Sequence, residues 1–168
     1  VSPLLVLMEN QIQSAQQLGL QCAVLNSSTK CQREEHLAAM RNGDLDLILI
    51  TPETLFTDEV QNALQQIQIG LFVIDEAHCI ADWGHDFRMS YRKIVDVLAE
   101  LQGQDFPVLA TTATANNRVI EDLENQIGPN LHISRGDLFR DNLYIQVIDF
   151  DSKVKRYGWI LQYINKLP

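Results

Sequence analysis

Apolar residues recur along this chain with two periods, and the switching between them predicts its elements. Leu4, Leu5, Met8, Ile12, Ala15 and Leu18 fall largely three or four positions apart, which predicts a helix over 4–18. Ser2 and Pro3 suit its N-cap and first position, and Gly19 its stop. Val1-Ser2-Pro3 also reads as the end of a preceding strand. Residues 21–25 and 45–50 are short apolar runs that predict strands. Between them, the polar turn Asn26-Ser27-Ser28-Thr29 leads into a helix over 30–41, closed by Asn42-Gly43. Thr51-Pro52-Glu53 opens a helical stretch to about residue 66, with a break near Thr57-Asp58.

The four-residue apolar run Leu71-Phe72-Val73-Ile74 predicts a strand buried on both faces. A helix over 91–101 carries Ile94, Val97, Leu98 and Leu101 on one side. Residues 108–111 form another buried strand, and Asn116-Asn117 caps a helix over 118–127. After Gly128-Pro129 the pattern predicts short strands over 131–134 and 144–150 and a helix over 153–165. Repeated strand–helix order implies a parallel sheet with right-handed crossovers.

Candidate chemistry sits where two of these strands end. Asp75, Glu76 and His78 follow the central run directly, and ligands of open α/β sheets bind at the carboxyl ends of strands. An Asp there can hold Mg²⁺, directly or through water, and a following Glu can orient or deprotonate an attacking water. Taken alone, the pair reads equally as an acidic turn after a core strand. The polar loop that follows carries Trp83, Phe87, Arg88 and Tyr91. Rings and a guanidinium in a polar loop suit stacking on single-stranded nucleic acid. They equally suit anchoring of the loop on the core. Thr112 and Thr114 end the next strand and, alone, read as a strand end joined to a helix cap. Cys79, His85 and Asp86 include the residue types of a nucleophilic triad or metal cluster, without the ligand spacing of a closed zinc site.

The chain has 168 residues, a length that allows one domain of ordinary size. The net charge of −9 argues against a broad basic face for DNA. The imbalance is uneven, −11 through His132 and +2 from Ile133 onward. Nucleic-acid contact on the first part is therefore expected in a local groove. Three cysteines without a C-x-x-C pair suggest neither a disulfide framework nor a zinc site and fit a reduced, cytosolic setting. No apolar run approaches a membrane span, and no signal segment is seen.

Ile74-Asp75-Glu76-Ala77-His78-Cys79-Ile80, followed by Trp83-Gly84-His85-Asp86-Phe87-Arg88, closely resembles motif II and the aromatic-rich loop of RecQ-type DNA helicases, which contain a DEAH box. Residues 2–11 resemble motif Ia, Thr51-Pro52-Glu53 motif Ib, and Thr112-Ala113-Thr114 motif III. Thr111 stands where that family usually carries Leu or Ile. The resemblance implies an α/β fold, a RecA-like P-loop NTPase helicase lobe with a parallel sheet flanked by helices. It implies catalytic roles for Asp75, Glu76 and His78, with Mg²⁺ on Asp75, and coupling through Thr112 and Thr114. It implies DNA contacts by Ser2, Pro3, Thr51, Pro52, Trp83, Phe87 and Arg88.

ATP and Mg²⁺ are the cofactors implied, and single-stranded and duplex DNA the partners. The lobe is expected over 1–135, with 136–168 as linker and start of a second lobe; Phe139-Arg140-Asp141-Asn142-Leu143 resembles that linker. No G-x-x-x-x-G-K-[ST] phosphate loop occurs in the sequence. The resemblance places that loop upstream, so the chain is expected to be a fragment that works with the remainder of its own polypeptide and hydrolyses no ATP alone. The expected activity of the parent is 3′-to-5′ translocation and unwinding in DNA repair or recombination, in the bacterial cytosol or nucleoid or in the nucleus. The rival expectation is a helicase-derived module that binds nucleic acid or a partner without turnover.

Overall fold

The computed structural model describes residues 1–81, 89–101, 103–128, 131–136, 143 and 146–166. The aromatic-rich loop with Trp83, Phe87 and Arg88 lies outside the described residues, as do His85, Asp86 and linker residues 139–142. The chain forms two compact units, 1–131 and 132–168.

In the first unit, helix α1 (Leu5–Gln17) leads to strand β1 (Cys22–Leu25), helix α2 (Arg33–Asn42) and strand β2 (Leu47–Ile50). Helices α3 (Pro52–Leu55) and α4 (Asp58–Leu64) are separated by the break expected near Thr57, which caps α4 in an extended conformation. Strand β3 (Phe72–Ile74), helices α5 (His78–Ala81) and α6 (Met89–Glu100), strand β4 (Val108–Ala110) and helix α7 (Asn117–Ile127) complete it. Local signals act as the sequence suggests at several ends. Gly43 closes α2 at φ 75°, a left-handed position that costs glycine nothing. The side chain of Asn116 accepts a bond from Val119 N at 2.9 Å and caps α7.

The strands pair in parallel, β1 with β2 in the register Cys22↔Leu47 and β3 with β4 in the register Phe72↔Val108. Val1 and Ser2 stitch the two pairs together. Val1 N donates to Val73 O at 2.6 Å. Asp75 N donates to Val1 O at 2.9 Å, and Ser2 N to Ile50 O at 3.1 Å. The segment therefore behaves as a strand end between β2 and β3, as its sequence suggests. The core is one continuous cluster around Leu25, Leu37, Leu55, Ile74, Tyr91 and Ile94, all fully buried.

Three expectations need correcting. Ser2 and Pro3 do not cap α1; Leu4 holds that position without a side-chain bond, and the Ser2 hydroxyl goes elsewhere. The apolar stripe of α1 is narrower than its sequence suggests. Met8 and Ala15 are buried, while Leu4, Leu5 and Leu18 are exposed, because only one line of the helix meets the sheet. No strand forms over 131–134, nor over the described residues 146–150. An alternating pattern becomes a strand only where another backbone offers its N–H and C=O groups, and no backbone bond pairs these residues with a neighbour among the described residues.

In the second unit, helix α8 (Lys153–Tyr163) is capped by Ser152, whose hydroxyl oxygen accepts from Lys155 N at 3.3 Å. Trp159 stacks on Tyr163 with centroids 5.1 Å apart and meets Phe150 at 6.1 Å.

Candidate functional site

The carboxyl ends of β3 and β4 and the Val1-Ser2 segment meet at one point, and Asp75 stands there. Its carboxylate is held from several elements at once. Oδ1 accepts from Glu76 N and from Thr111 Oγ1, each at 3.0 Å. Oδ2 accepts from Ser2 Oγ at 3.1 Å and from Gln11 Nε2 at 3.4 Å. Tyr91, fully buried at the start of α6, donates its hydroxyl to Asp75 O at 2.9 Å.

The backbone then turns sharply. Glu76 adopts φ 50°, the one non-glycine residue with positive φ among those described. Such a conformation costs on the order of 1–3 kcal/mol and persists where its surroundings over-determine it. Here Ala77 N donates to Thr111 O at 2.9 Å and Cys79 N to Glu76 O at 2.9 Å, so β4 and α5 pin both sides of the turn. The turn brings Glu76 Oε2 to 3.2 Å from His78 Nδ1, which also lies 3.1 Å from Thr112 Oγ1. An ionised carboxylate only accepts, so a favourable Glu76 contact requires the proton of His78 on Nδ1. Thr112 Oγ1 in turn accepts from Thr114 N at 3.2 Å. Glu76, His78, Thr112 and Thr114 thus form one chain of contacts between the two strand ends.

The structure treats the other expected site residues differently. Ser2 is buried, its hydroxyl committed to Asp75. Thr51 and Pro52 are buried at the start of α3, where Thr51 Oγ1 donates to Thr54 Oγ1 at 3.0 Å. Pro3 is half-buried. These four begin the segments that leave the strand ends beside Asp75, since the preceding Ile50 carbonyl takes the Ser2 N–H. Sequence reasoning passed over Gln11 and Thr111 as partners of Asp75. The usable signal for Thr111 was a hydroxyl directly after the three apolar residues of a strand; for Gln11, on an exposed helix face, there was none.

Asp75 fits Mg²⁺ as one carboxylate among other ligands. Magnesium keeps several waters and takes one or two carboxylates together with substrate phosphates. Among the described residues no group of three or more His, Cys, Asp or Glu side chains converges as a self-sufficient metal site. The exposed Gln11 amide, at 3.4 Å, leaves Oδ2 approachable from solvent.

Comparison with known proteins decides the family. The sequence model for "DEAD/DEAH box helicase" matches residues 1–123. The chain belongs to the DEAD/DEAH box helicase family. Its α/β core of parallel strands and flanking helices is that of a RecA-like lobe. The chain is 39% identical over 160 residues to the ATP-dependent DNA helicase RecQ of Bacillus subtilis, covering 91% of this chain and 26% of that protein. It is 32% identical to the probable ATP-dependent DNA helicase RecS of the same organism, covering 99% of this chain and 34% of RecS. It is also 32% identical to RecQ of Haemophilus influenzae, covering 85% of this chain and 23% of that protein. The chain thus spans about a quarter to a third of the length of these relatives. Within the family match lie the Asp75–Glu76–His78 turn and the Thr112–Thr114 strand end.

Proposed function

We propose that this chain is the ATP-hydrolysing half-site of a RecQ-type DNA helicase that couples ATP turnover to 3′-to-5′ movement along single strands in DNA repair or recombination. The observation that carries the reading is the junction of Asp75, Glu76, His78 and Thr112 at two parallel strand ends. Mg²⁺, when bound, would supply charge neutralisation at the nucleotide phosphates. Asp75 would hold that ion, directly or through one of its waters. Glu76 takes a proton from the attacking water at its carboxylate, and His78 holds Glu76 in place from Nδ1.

Thr112 and Thr114 extend the contact from His78 to the start of α7, a short path by which nucleotide state reaches the DNA groove. Trp83, Phe87 and Arg88 follow α5 directly in sequence and are suited to stack on bases. Ser2, Thr51 and Pro52 are buried and Pro3 is half-buried, so backbone contacts with DNA fall to the segments they begin. The net charge of −9 makes phosphate attraction from this lobe modest and raises the importance of stacking.

The test is ATP hydrolysis and strand separation by the full-length protein, with and without single-stranded DNA. DNA-stimulated turnover together with unwinding from a 3′ overhang is expected. The 168 residues alone contain no phosphate loop and are expected to release no phosphate above blank. DNA binding without any turnover by the full-length protein is the outcome of a second reading, a helicase-derived binding module, and would displace the first.

A further inference from the structure

Among the described residues the Asp75 carboxylate has four hydrogen-bond donors, and they are unequal. Glu76 N is backbone, and no side-chain substitution removes it. Ser2 Oγ is buried, and Gln11 Nε2 is exposed and the most distant at 3.4 Å. Thr111 Oγ1 is different in kind. Its own backbone is fixed on both sides of the site, with Thr111 N donating to Ile74 O at 2.9 Å and Thr111 O accepting from Ala77 N at 2.9 Å. Those two bonds bracket Asp75 and Glu76 in sequence. A hydroxyl on so fixed a backbone sets the plane of the carboxylate that accepts from it. The same oxygen, Oδ1, takes the N–H of Glu76 where that residue turns left-handed.

We propose that Thr111 is a positioning residue for the metal-facing carboxylate of Asp75, a role played by its hydroxyl and not by its packing. The proposal rests on the reading of Asp75 as the Mg²⁺ carboxylate. An aliphatic side chain at 111 would leave Oδ1 with the Glu76 N–H alone and remove the side-chain bond that braces that oxygen from β4. Ser2 and Gln11 would still hold Oδ2, but the plane of the carboxylate would be less closely fixed from the Oδ1 side as a hydrated ion approaches. Groups that orient a metal ligand through such hydrogen bonds typically change metal affinity about 10- to 100-fold when lost.

The experiment compares full-length wild type, Thr111→Val, Thr111→Ser and Asp75→Asn. Two quantities are read: the Mg²⁺ concentration for half-maximal ATP turnover, and the Mg²⁺ concentration needed to raise the thermal midpoint in the presence of a non-hydrolysable ATP analogue. Thr111→Val keeps shape and β-branching and is expected to raise both by roughly tenfold, the lower end of that range. Thr111→Ser is expected to restore both to near wild type. Wild-type values for Thr111→Val, beside a clear shift for Asp75→Asn, would overturn the role of Thr111 alone. Unchanged Mg²⁺ dependence in Asp75→Asn would instead overturn the metal reading itself, and the proposal with it. Equal shifts in Thr111→Val and Thr111→Ser would show that packing, not the hydroxyl, matters, and would also overturn it. Thr111→Ala takes the place of Thr111→Val in both assays should that variant not fold.

Discussion

Glu76 joins a cost to a use at a single residue. A left-handed glutamate is disfavoured, yet the turn at φ 50° is what lets Oε2 reach His78 Nδ1 two residues on. Asp75 fixes the entry to that turn and Thr111 O the exit, so the strain is held by strand pairing and not by Glu76 itself. If Glu76 is the base proposed above, Glu76→Gln preserves the shape and removes it. In the full-length protein it is expected to lower ATP turnover by about 10²–10⁴-fold, the usual contribution of a general base, with ATP affinity nearly unchanged. Turnover rates and nucleotide binding measured on the same preparation check this. A variant that turns over at the wild-type rate would remove Glu76 from the chemistry.

At the level of elements, β4 matters most for how this chain behaves by itself. It pairs with β3, and no other strand pairs with it among the described residues. Its central residue, Leu109, is 47% exposed, which is unusual for a strand written as Val-Leu-Ala. A short apolar strand with an open edge is a template for pairing with another chain. The 168-residue chain is therefore expected to self-associate as its concentration rises. Leu109→Lys places a charge on that surface and should shift the onset of association to higher concentration, because a charge opposes edge-to-edge pairing. Sedimentation of both chains over a concentration series reads this out. A wild-type chain that stays monomeric throughout would mean that β4 is already protected.

For the whole molecule, the proposed function asks how a nucleotide site on an acidic lobe would answer to DNA. The path available runs from Glu76 through His78 and α5 into the stretch that holds Trp83 and Phe87, only a few residues on. If that stretch couples, Trp83→Ala or Phe87→Ala in the full-length protein should lower DNA-stimulated ATPase and unwinding far more than DNA affinity. ATP binding should barely move. If it is mainly a platform, each ring contributes about 1–3 kcal/mol of single-strand binding, and affinity should collapse while stimulation at saturating DNA stays normal. Measuring affinity, stimulation and unwinding on one variant separates the two. No change in any of them would leave both rings as anchors of the loop.

The sequence by itself determined the alternation of strands and helices, the break at Thr57, the caps at Gly43 and Asn116, and the carboxylates at the end of the apolar run Leu71–Ile74. These are local matters of periodicity, backbone preference and side-chain capping, and each is written in a few neighbouring residues. Only the tertiary structure decided who touches Asp75. Ser2, Gln11, Thr111 and Tyr91 come from four separate places in the chain, and no spacing relates them. The same holds for the errors. Ser2 suited a helix cap until a carboxylate 73 residues away took its hydroxyl. The alternating residues near 131 and 146 lacked a partner strand, and Leu18 fell outside the line along which α1 meets the sheet. A side chain's partner is set by what the fold brings within hydrogen-bonding distance, and that is a property of the whole chain's path through space.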